Sequence, residues 1–349
     1  MGSEAAVSTR ARLWRRLRRA LLVGLALVAA SALLVAWLWH HVPAPDQAPH
    51  PFNQERNAVW LEHRWLEKPQ PAAEMDRLLS RLAGHGVQYV YPHMIPFDRE
   101  GRLPRHDREQ LRAFLASARR SAPGLKVLPW VGGLRQGWRR SRTGVLDLRN
   151  LAQRQLIVAE CRGLMDEGFD GLHVNVEPID NGNVEFLALL RALRTAVGDE
   201  RLLSVSTIRP APYALPLAPN FLWSLDYYRS VAALVDQLVV MAYDTALPTP
   251  GLYRRYVSWS AGAVTRALAG SRLRARVLMG VPTYDGTGLM HRADVESPEN
   301  ALLAVVAGLR GVGGGGTFEG VALYAEWTTD PAEWAVYDRI WRGRAAPAW

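Results

Sequence analysis

Residues 168–178 read GFDGLHVNVEP. Side chains on a β-strand alternate between its two faces with period two. Leu172, Val174 and Val176 therefore share one face, an aliphatic one suited to packing under helices. His173, Asn175 and Glu177 share the other face, and all three are polar. Polar groups in a row on an inward face are costly unless they hydrogen-bond one another or meet solvent. Two readings fit the pattern. One is a satisfied polar core with a carboxylate at the rim; the other is a functional site with Glu177 at the C-terminal end of its strand.

Seven more strand-like runs lie around this one: AVWLE (58–62), VQYVYPH (87–93), KVLPWVG (126–132), RLLSVST (201–207), QLVVMAYD (237–244), RVLMGVP (276–282) and GVALYAE (320–326). Amphipathic segments such as EQLRAFLASARR and ENALLAVVAGLR separate them, with apolar residues three and four apart. Eight strands alternating with helices predict parallel βα units closed into a (β/α)8 TIM barrel over residues 56–345. An open doubly wound sheet is the rival, and it lacks a nucleotide fingerprint here. GVGGGG (311–316) matches GxGxxG in letters, but it follows a helix and precedes a strand, the reverse of the dinucleotide-binding order. No metal-ligand spacing and no phosphate-binding loop occurs, so no cofactor and no metal is expected. In barrels of this kind the active site lies at the C-terminal ends of the strands. Glu62 and Arg64, at the first such end, either face the cleft or pair with each other.

Composition narrows the functional classes. The chain has 349 residues, 49% of them hydrophobic, with a formal charge of +9. Arg10, Arg12, Arg15, Arg16, Arg18 and Arg19 stand against Glu4 alone in residues 1–19, and hold more than half of that charge. A nucleic-acid binder carries its basic stripe on the folded domain, so no nucleic-acid partner is expected. The arginines instead precede ALLVGLALVAASALLVAWLW (20–39), an uncharged segment as long as a bilayer core is thick, with Trp37 and Trp39 at its far edge. The positive-inside rule predicts a cytoplasmic N-terminus (1–19), a transmembrane helix (20–39) and an extracytoplasmic, periplasmic or extracellular barrel. A cleaved signal peptide is the alternative. The proline-rich stretch 40–55 reads as a spacer. The single cysteine, Cys161, excludes an intramolecular disulfide.

GFDGLHVNVEP resembles the fourth-strand signature DGxDxDxE of glycoside hydrolase family 18, the chitinase-like barrels. Asp170, Gly171 and Glu177 fall on its positions, while His173 and Asn175 replace the two inner aspartates. KVLPWVGG (126–133) is similar to the third-strand segment, MAYD (241–244) to Met-x-Tyr-Asp, and GVPTYDG (280–286) to the seventh strand. GVALYAEW (320–327) aligns with the strand that ends in a sugar-stacking tryptophan, and it places Tyr324 there with Trp327 beyond. The resemblance implies retaining hydrolysis of β-linked N-acetylhexosamine glycans, assisted by the substrate's own acetamido group. Under it Glu177 is the acid, Asn175 orients the acetamide and Tyr243 hydrogen-bonds it. Asp170, His173, Met241, Asp244, Tyr324, Trp327 and Tyr91 are the implied substrate-binding residues. The lost aspartate charge predicts a slower enzyme, although asparagine–glutamate pairs serve such chemistry in glycoside hydrolase family 85. His173 is expected to supply the missing hydrogen bond or, protonated, a charge. The alternative reading is a catalytically inactive glycan-binding barrel of the cell envelope. Only about 35 residues separate the last two strands, a normal βα length, which predicts a shallow, open cleft.

Overall fold

The computed structural model describes residues 2–40, 50–135, 146–212, 222–270, 273–313 and 316–344. Most of the expected spacer, residues 41–49, lies outside the described residues, as does the side chain of Trp39. The chain forms two compact units, residues 1–44 and 45–349. The first is one helix, α1 (Gly2–His40), long and apolar enough over Arg16–Leu34 to cross a membrane by length and composition.

The second unit is a single parallel sheet wrapped by helices. Its strands are β1 (Asn57–Leu61), β2 (Val87–Pro92), β3 (Lys126–Val127), β4 (Trp130–Leu134), β5 (Gly171–Glu177), β6 (Leu202–Thr207), β7 (Gln237–Val240), β8 (Arg276–Pro282) and β9 (Phe318–Tyr324). They lie in the order β3-β2-β1-β9-β8-β7-β6-β5-β4. β3 and β4 are two pieces of one strand, interrupted at Leu128-Pro129 because proline has no N–H to give a ladder. Around the interruption the pairing continues on both sides. Leu128 N donates to Val90 O at 3.0 Å and Met94 N to Trp130 O at 2.9 Å, while His173 N donates to Pro129 O at 3.1 Å. The sheet thus closes into a TIM-barrel-like cylinder of eight strands, each matching one of the strand-like runs of the sequence.

Helices follow the eight strands: α2 (Arg64–Glu67) and α3 (Ala72–Gly84) after β1, then α4 (Arg108–Ser121), α5 (Leu151–Asp166), α6 (Val184–Val197), α7 (Leu225–Ala232), α8 (Pro250–Leu268), α9 (Pro298–Arg310) and α10 (Pro331–Tyr337). α4 (Arg108–Ser121) shows the local logic. The Asp107 carboxylate caps it by accepting from Glu109 N at 2.9 Å and Gln110 N at 3.2 Å, and Leu111, Phe114, Leu115 and Ala118 form its buried stripe. α8 (Pro250–Leu268) begins with Thr249 as its cap and Pro250 in its first turn. The β8–β9 connection holds one helix, α9 (Pro298–Arg310). Outward-facing aliphatics of the strands, Val174, Val205 and Leu238 among them, pack under this helical layer.

The barrel interior has its own small cluster. Ala58 and Ala322 pair across β1 and β9, and their small size leaves the axis to Trp60, Tyr89 and Tyr91. At the base, Trp341 Nε1 donates to Asn57 Oδ1 at 2.7 Å, and His85 pairs with Asp338 at 2.9 Å while stacking on Trp334. Residues just before β1 join this floor, with His50 Nε2 3.0 Å from Ile340 O and Gln54 Nε2 donating to Phe318 O at 3.0 Å.

Candidate active site

At the C-terminal ends of the strands lies a cavity of about 340 Å³, and Glu177, the last residue of β5, lines it. Burial raises the pKa of its carboxyl above the usual carboxylate range. A hydrogen bond from Asn175 and the charge of Arg209 pull it back down, and the charge of Asp244 pushes it up. A raised pKa shifts the carboxyl toward its protonated form, the direction a general acid needs.

Asn175 is beside it on the same face of β5. Its Oδ1 is buried and has no hydrogen-bond partner among the described residues. An unmade hydrogen bond at a buried amide is expensive, and Asn175 is one of the residues that line the cavity. The strand comes this close to β4 because residue 132 is glycine. A Cβ there would sit 1.8 Å from Asn175 O.

β7 ends at Val240, and beyond it Met241, Tyr243 and Asp244 line the cavity. Burial puts the Tyr243 hydroxyl well above its ordinary pKa, so it remains a donor. Its ring fits because residue 280 is glycine, whose added Cβ would meet Tyr243 Cε1 and Val240 O at 2.9 Å. It stacks on Tyr324 with centroids 5.3 Å apart, and Tyr324 in turn stands edge-on to Trp60 at 5.5 Å and to Trp327 at 5.7 Å. Burial pushes the Tyr324 hydroxyl up to about 12. Trp327 is 41% exposed and extends the aromatic surface outward, outside the cavity lining.

Asp244 has φ 55°, in the left-handed region that a non-glycine residue enters at a cost of ~1–2 kcal/mol. Glu296 holds it there. Its carboxylate accepts from Asp244 N at 2.7 Å, Thr245 N at 2.9 Å and Thr245 Oγ1 at 2.6 Å. The Tyr284 hydroxyl donates to Asp244 Oδ1 at 2.5 Å. His291 lies 3.2 Å from Glu296 Oε2 through Nδ1 and 3.1 Å from Tyr284 O through Nε2. Among the described residues, Asp244, His291 and Glu296 form a group whose ligating atoms lie within 4.8 Å of one another. These same atoms already bind each other and the loop backbone, so the cluster acts as a brace for residues 244–246.

Three residues expected at the substrate lie elsewhere. Asp170 precedes β5 at the opposite end of the barrel, ~20 Å from Glu177 at strand spacing. It accepts from Val127 N at 2.9 Å and lies 3.3 Å from Lys126 Nζ, so it fastens β3 to β5. His173 is wholly buried in the barrel core. Its Nδ1 lies 2.8 Å from Ser204 Oγ, whose proton goes to Gln237 Oε1, so Nδ1 carries the hydrogen. Nε2 then accepts from Trp60 Nε1 at 3.1 Å, with Ser206 Oγ 2.9 Å away. Burial pushes its pKa down to about 3, so it supplies neither a charge nor a free donor to the cleft. Tyr91 is buried against it, stacked at 3.9 Å, and donates to Gln237. Glu62 and Arg64 pair at 3.1 Å.

The cavity also takes in Trp60, Trp130, Arg209 and Met290, which sequence reading had not singled out. Trp60 was within reach of it, since it alternates with Ala58 on an inward face. Arg209 lies past the end of β6, where alternation stops carrying information.

No protein-family model and no curated protein matches this sequence. Its fold does match solved structures at low identity. The spore cortex-lytic enzyme SleL of Bacillus cereus superposes with a TM-score of 0.57 at 10% identity, covering 83% of this chain and 75% of that one. A chitinase of Rhizomucor miehei gives 0.54 at 17% identity, covering 83% and 100%. A chitinase of Chromobacterium violaceum gives 0.53 at 14%, covering 81% and 98%. In its fold, this chain is a chitinase-like barrel.

Proposed function

We propose that the protein is a glycoside hydrolase that cleaves β-linked N-acetylhexosamine glycans with retention, using the substrate's acetamido group as nucleophile. The observation that carries this reading is Glu177, a carboxyl with a raised pKa in an aromatic-lined cleft, next to a buried amide oxygen that has no partner among the described residues. Glu177 gives its proton to the glycosidic oxygen while the acetamide oxygen attacks the anomeric carbon and the leaving sugar departs as an alcohol. Asn175 Oδ1 accepts the acetamide N–H, and the Tyr243 hydroxyl donates to the acetamide oxygen. The Glu177 carboxylate then takes a proton from water, which opens the cyclic intermediate from the face the leaving group had occupied. Asn175 orients without supplying negative charge, so the cationic intermediate is less stabilised than beside an aspartate. Tyr324 and Trp327 offer ring faces to the sugar.

The test is incubation of the full-length chain, in detergent micelles, with N-acetylglucosamine oligomers and peptide-free peptidoglycan strands. New reducing ends, first released as the β-anomer, support the reading. Glycan binding with no new reducing end in any arm would overturn it in favour of a non-catalytic glycan-binding barrel.

The same reading makes α1 a retained anchor with its arginine-rich end in the cytoplasm and the barrel outside. Recovery of the intact N-terminus in the membrane fraction supports an anchor. A mature chain that begins near Pro45 would make the segment a signal peptide.

A further inference from the structure

We propose that the cleft is built for an anionic glycan, with Arg209 receiving a carboxylate carried by the N-acetylhexosamine substrate. The inference rests on the glycosidase reading above and names its substrate class. β6, which Arg209 follows, is hydrogen-bonded to β5 on one side and β7 on the other. Arg209 therefore lines the cavity on the β6 side, between the strands that lead to Glu177 and to Tyr243. Arg209 Nη1 donates to the carbonyl of Tyr243, and the Tyr256 hydroxyl also hydrogen-bonds this side chain. These two contacts fix its position without neutralising it.

Two arginines near the ends of other strands are paired. Arg135 lies 2.6 Å from Asp180 and Arg64 3.1 Å from Glu62. Arg209 has no ion-pair partner among the described residues. Residues 136–145 and 213–221, outside the described residues, contain no aspartate or glutamate, so neither segment can provide one. Of the two acids lining the cavity, Glu177 is held toward its neutral form and Asp244 is engaged by Tyr284. A guanidinium retains donors in a planar fork that matches a carboxylate, and such charge-assisted bonds are about twice as strong as neutral ones.

The position of this cation has a further consequence. A positive charge near Glu177 favours the ionised carboxylate and works against a general acid. A substrate carboxylate on Arg209 cancels that charge. The acid would then hold its proton best when the right glycan is bound, so an anionic substrate sharpens the catalyst as well as binding to it.

The test compares matched N-acetylhexosamine oligomers with the full-length protein in detergent micelles. One arm carries lactyl-ether carboxylates, a second carries uronic acid residues, and each is paired with its carboxyl-reduced form. Wild type should turn over the carboxylated member of one pair roughly 10- to 100-fold better in kcat/KM, and the arm that does so identifies the carboxylate. Its KM should rise with added salt, and the alkaline limb of kcat should lie at higher pH than for the reduced form. In Arg209→Gln the preference should fall toward one and the difference in pH limb should disappear, while Arg209→Lys should keep part of both. A brace for the Tyr243 carbonyl alone would move neither the ratio nor the pH limb. A wild-type ratio near one in both pairs, with neutral oligomers cleaved, would overturn this inference and leave the hydrolase reading standing. A preference that survives in Arg209→Gln would overturn it too. Failure of every glycan to bind or react would remove the reading on which it rests, and the inference with it.

Discussion

His173 and Asn175 are two residues apart on one face of β5, and the protein treats them in opposite ways. His173 has both ring nitrogens satisfied by Ser204, Ser206 and Trp60 and lies stacked on Tyr91. Asn175 keeps a buried oxygen with no partner among the described residues and lines the cavity beside a carboxyl of raised pKa. One step along the barrel axis thus separates a closed polar core from an open one. Satisfied polar groups make structure, and unsatisfied ones wait for a ligand. The chain of bonds from His173 through Ser204 and Gln237 to Glu319 shows how complete the closed layer is.

Substitutions can sharpen or break this contrast. The largest effect is expected at Glu177. Glu177→Gln retains shape and an acceptor for Asn175 but has no proton to transfer, so turnover should fall at least ~100-fold with glycan binding retained. Reducing-end assays and calorimetry check both halves, and undiminished turnover would place the acid elsewhere. The same variant has a stability signature. A carboxyl whose folded-state pKa is raised favours the fold while protonated, below the unfolded value of 4.5, and loses that contribution as pH rises through the folded pKa. Glu177→Gln should therefore melt above wild type at pH 7 and show no gain at pH 4, as thermal scans across that range would reveal.

His173→Ala attacks the closed layer. It strands the Trp60 and serine donors and opens a cavity, so stability should drop by ~3 kcal/mol in denaturant unfolding. The pH profile of whatever activity survives should stay put, because His173 is already neutral throughout the working range. A displaced profile would mean that the histidine takes part in the chemistry after all.

Asn175→Ala and Asn175→Asp probe the open layer, with an expected loss of roughly 10-fold in kcat for each. The aspartate restores the chitinase-like residue, yet it adds a charge beside Glu177 and Asp244 in a site organised around a neutral amide. A gain in turnover for Asn175→Asp would instead mark the site as a weakened form of the aspartate chemistry. The smallest effect is expected from Glu296→Gln, which leaves two acceptor bonds feasible but removes the charge that braces Asp244. kcat should fall about 3-fold with KM little changed, and an equal loss in both kinetic constants would show that Glu296 acts in binding.

Much of the barrel was legible because alternation and helical spacing are local. Each strand-like run became a strand, and the inward face of β5 carries the three residues that parity assigned to it. Parity says which face a side chain takes, but not its depth along the axis. Depth depends on the register of every strand with its neighbours, and that is why Asp170, His173 and Tyr91 were expected at the substrate yet lie at the base or in the core. Trp60 fell on the right face for the same local reason, while its edge-on contact with Tyr324, from the other end of the barrel chain, was invisible to it.

From the sequence alone came the eight-fold βα alternation, the apolar N-terminal helix and Glu177 at a strand's C-terminal end, all of them consequences of local periodicity and chain direction. Only the tertiary structure decided which polar groups are closed and which are open. His173 is neutral because barrel closure buries it, between Trp60 of β1 and the serines of β6. Asp244 is braced because Glu296, 52 residues further along, folds back onto its amide. Arg209 lines the cleft without an ion-pair partner among the described residues because closure of the sheet sets the end of β6 between the strands that lead to Glu177 and Tyr243. Hydrogen-bond satisfaction and charge pairing are properties of neighbours in space, and sequence distance does not record them.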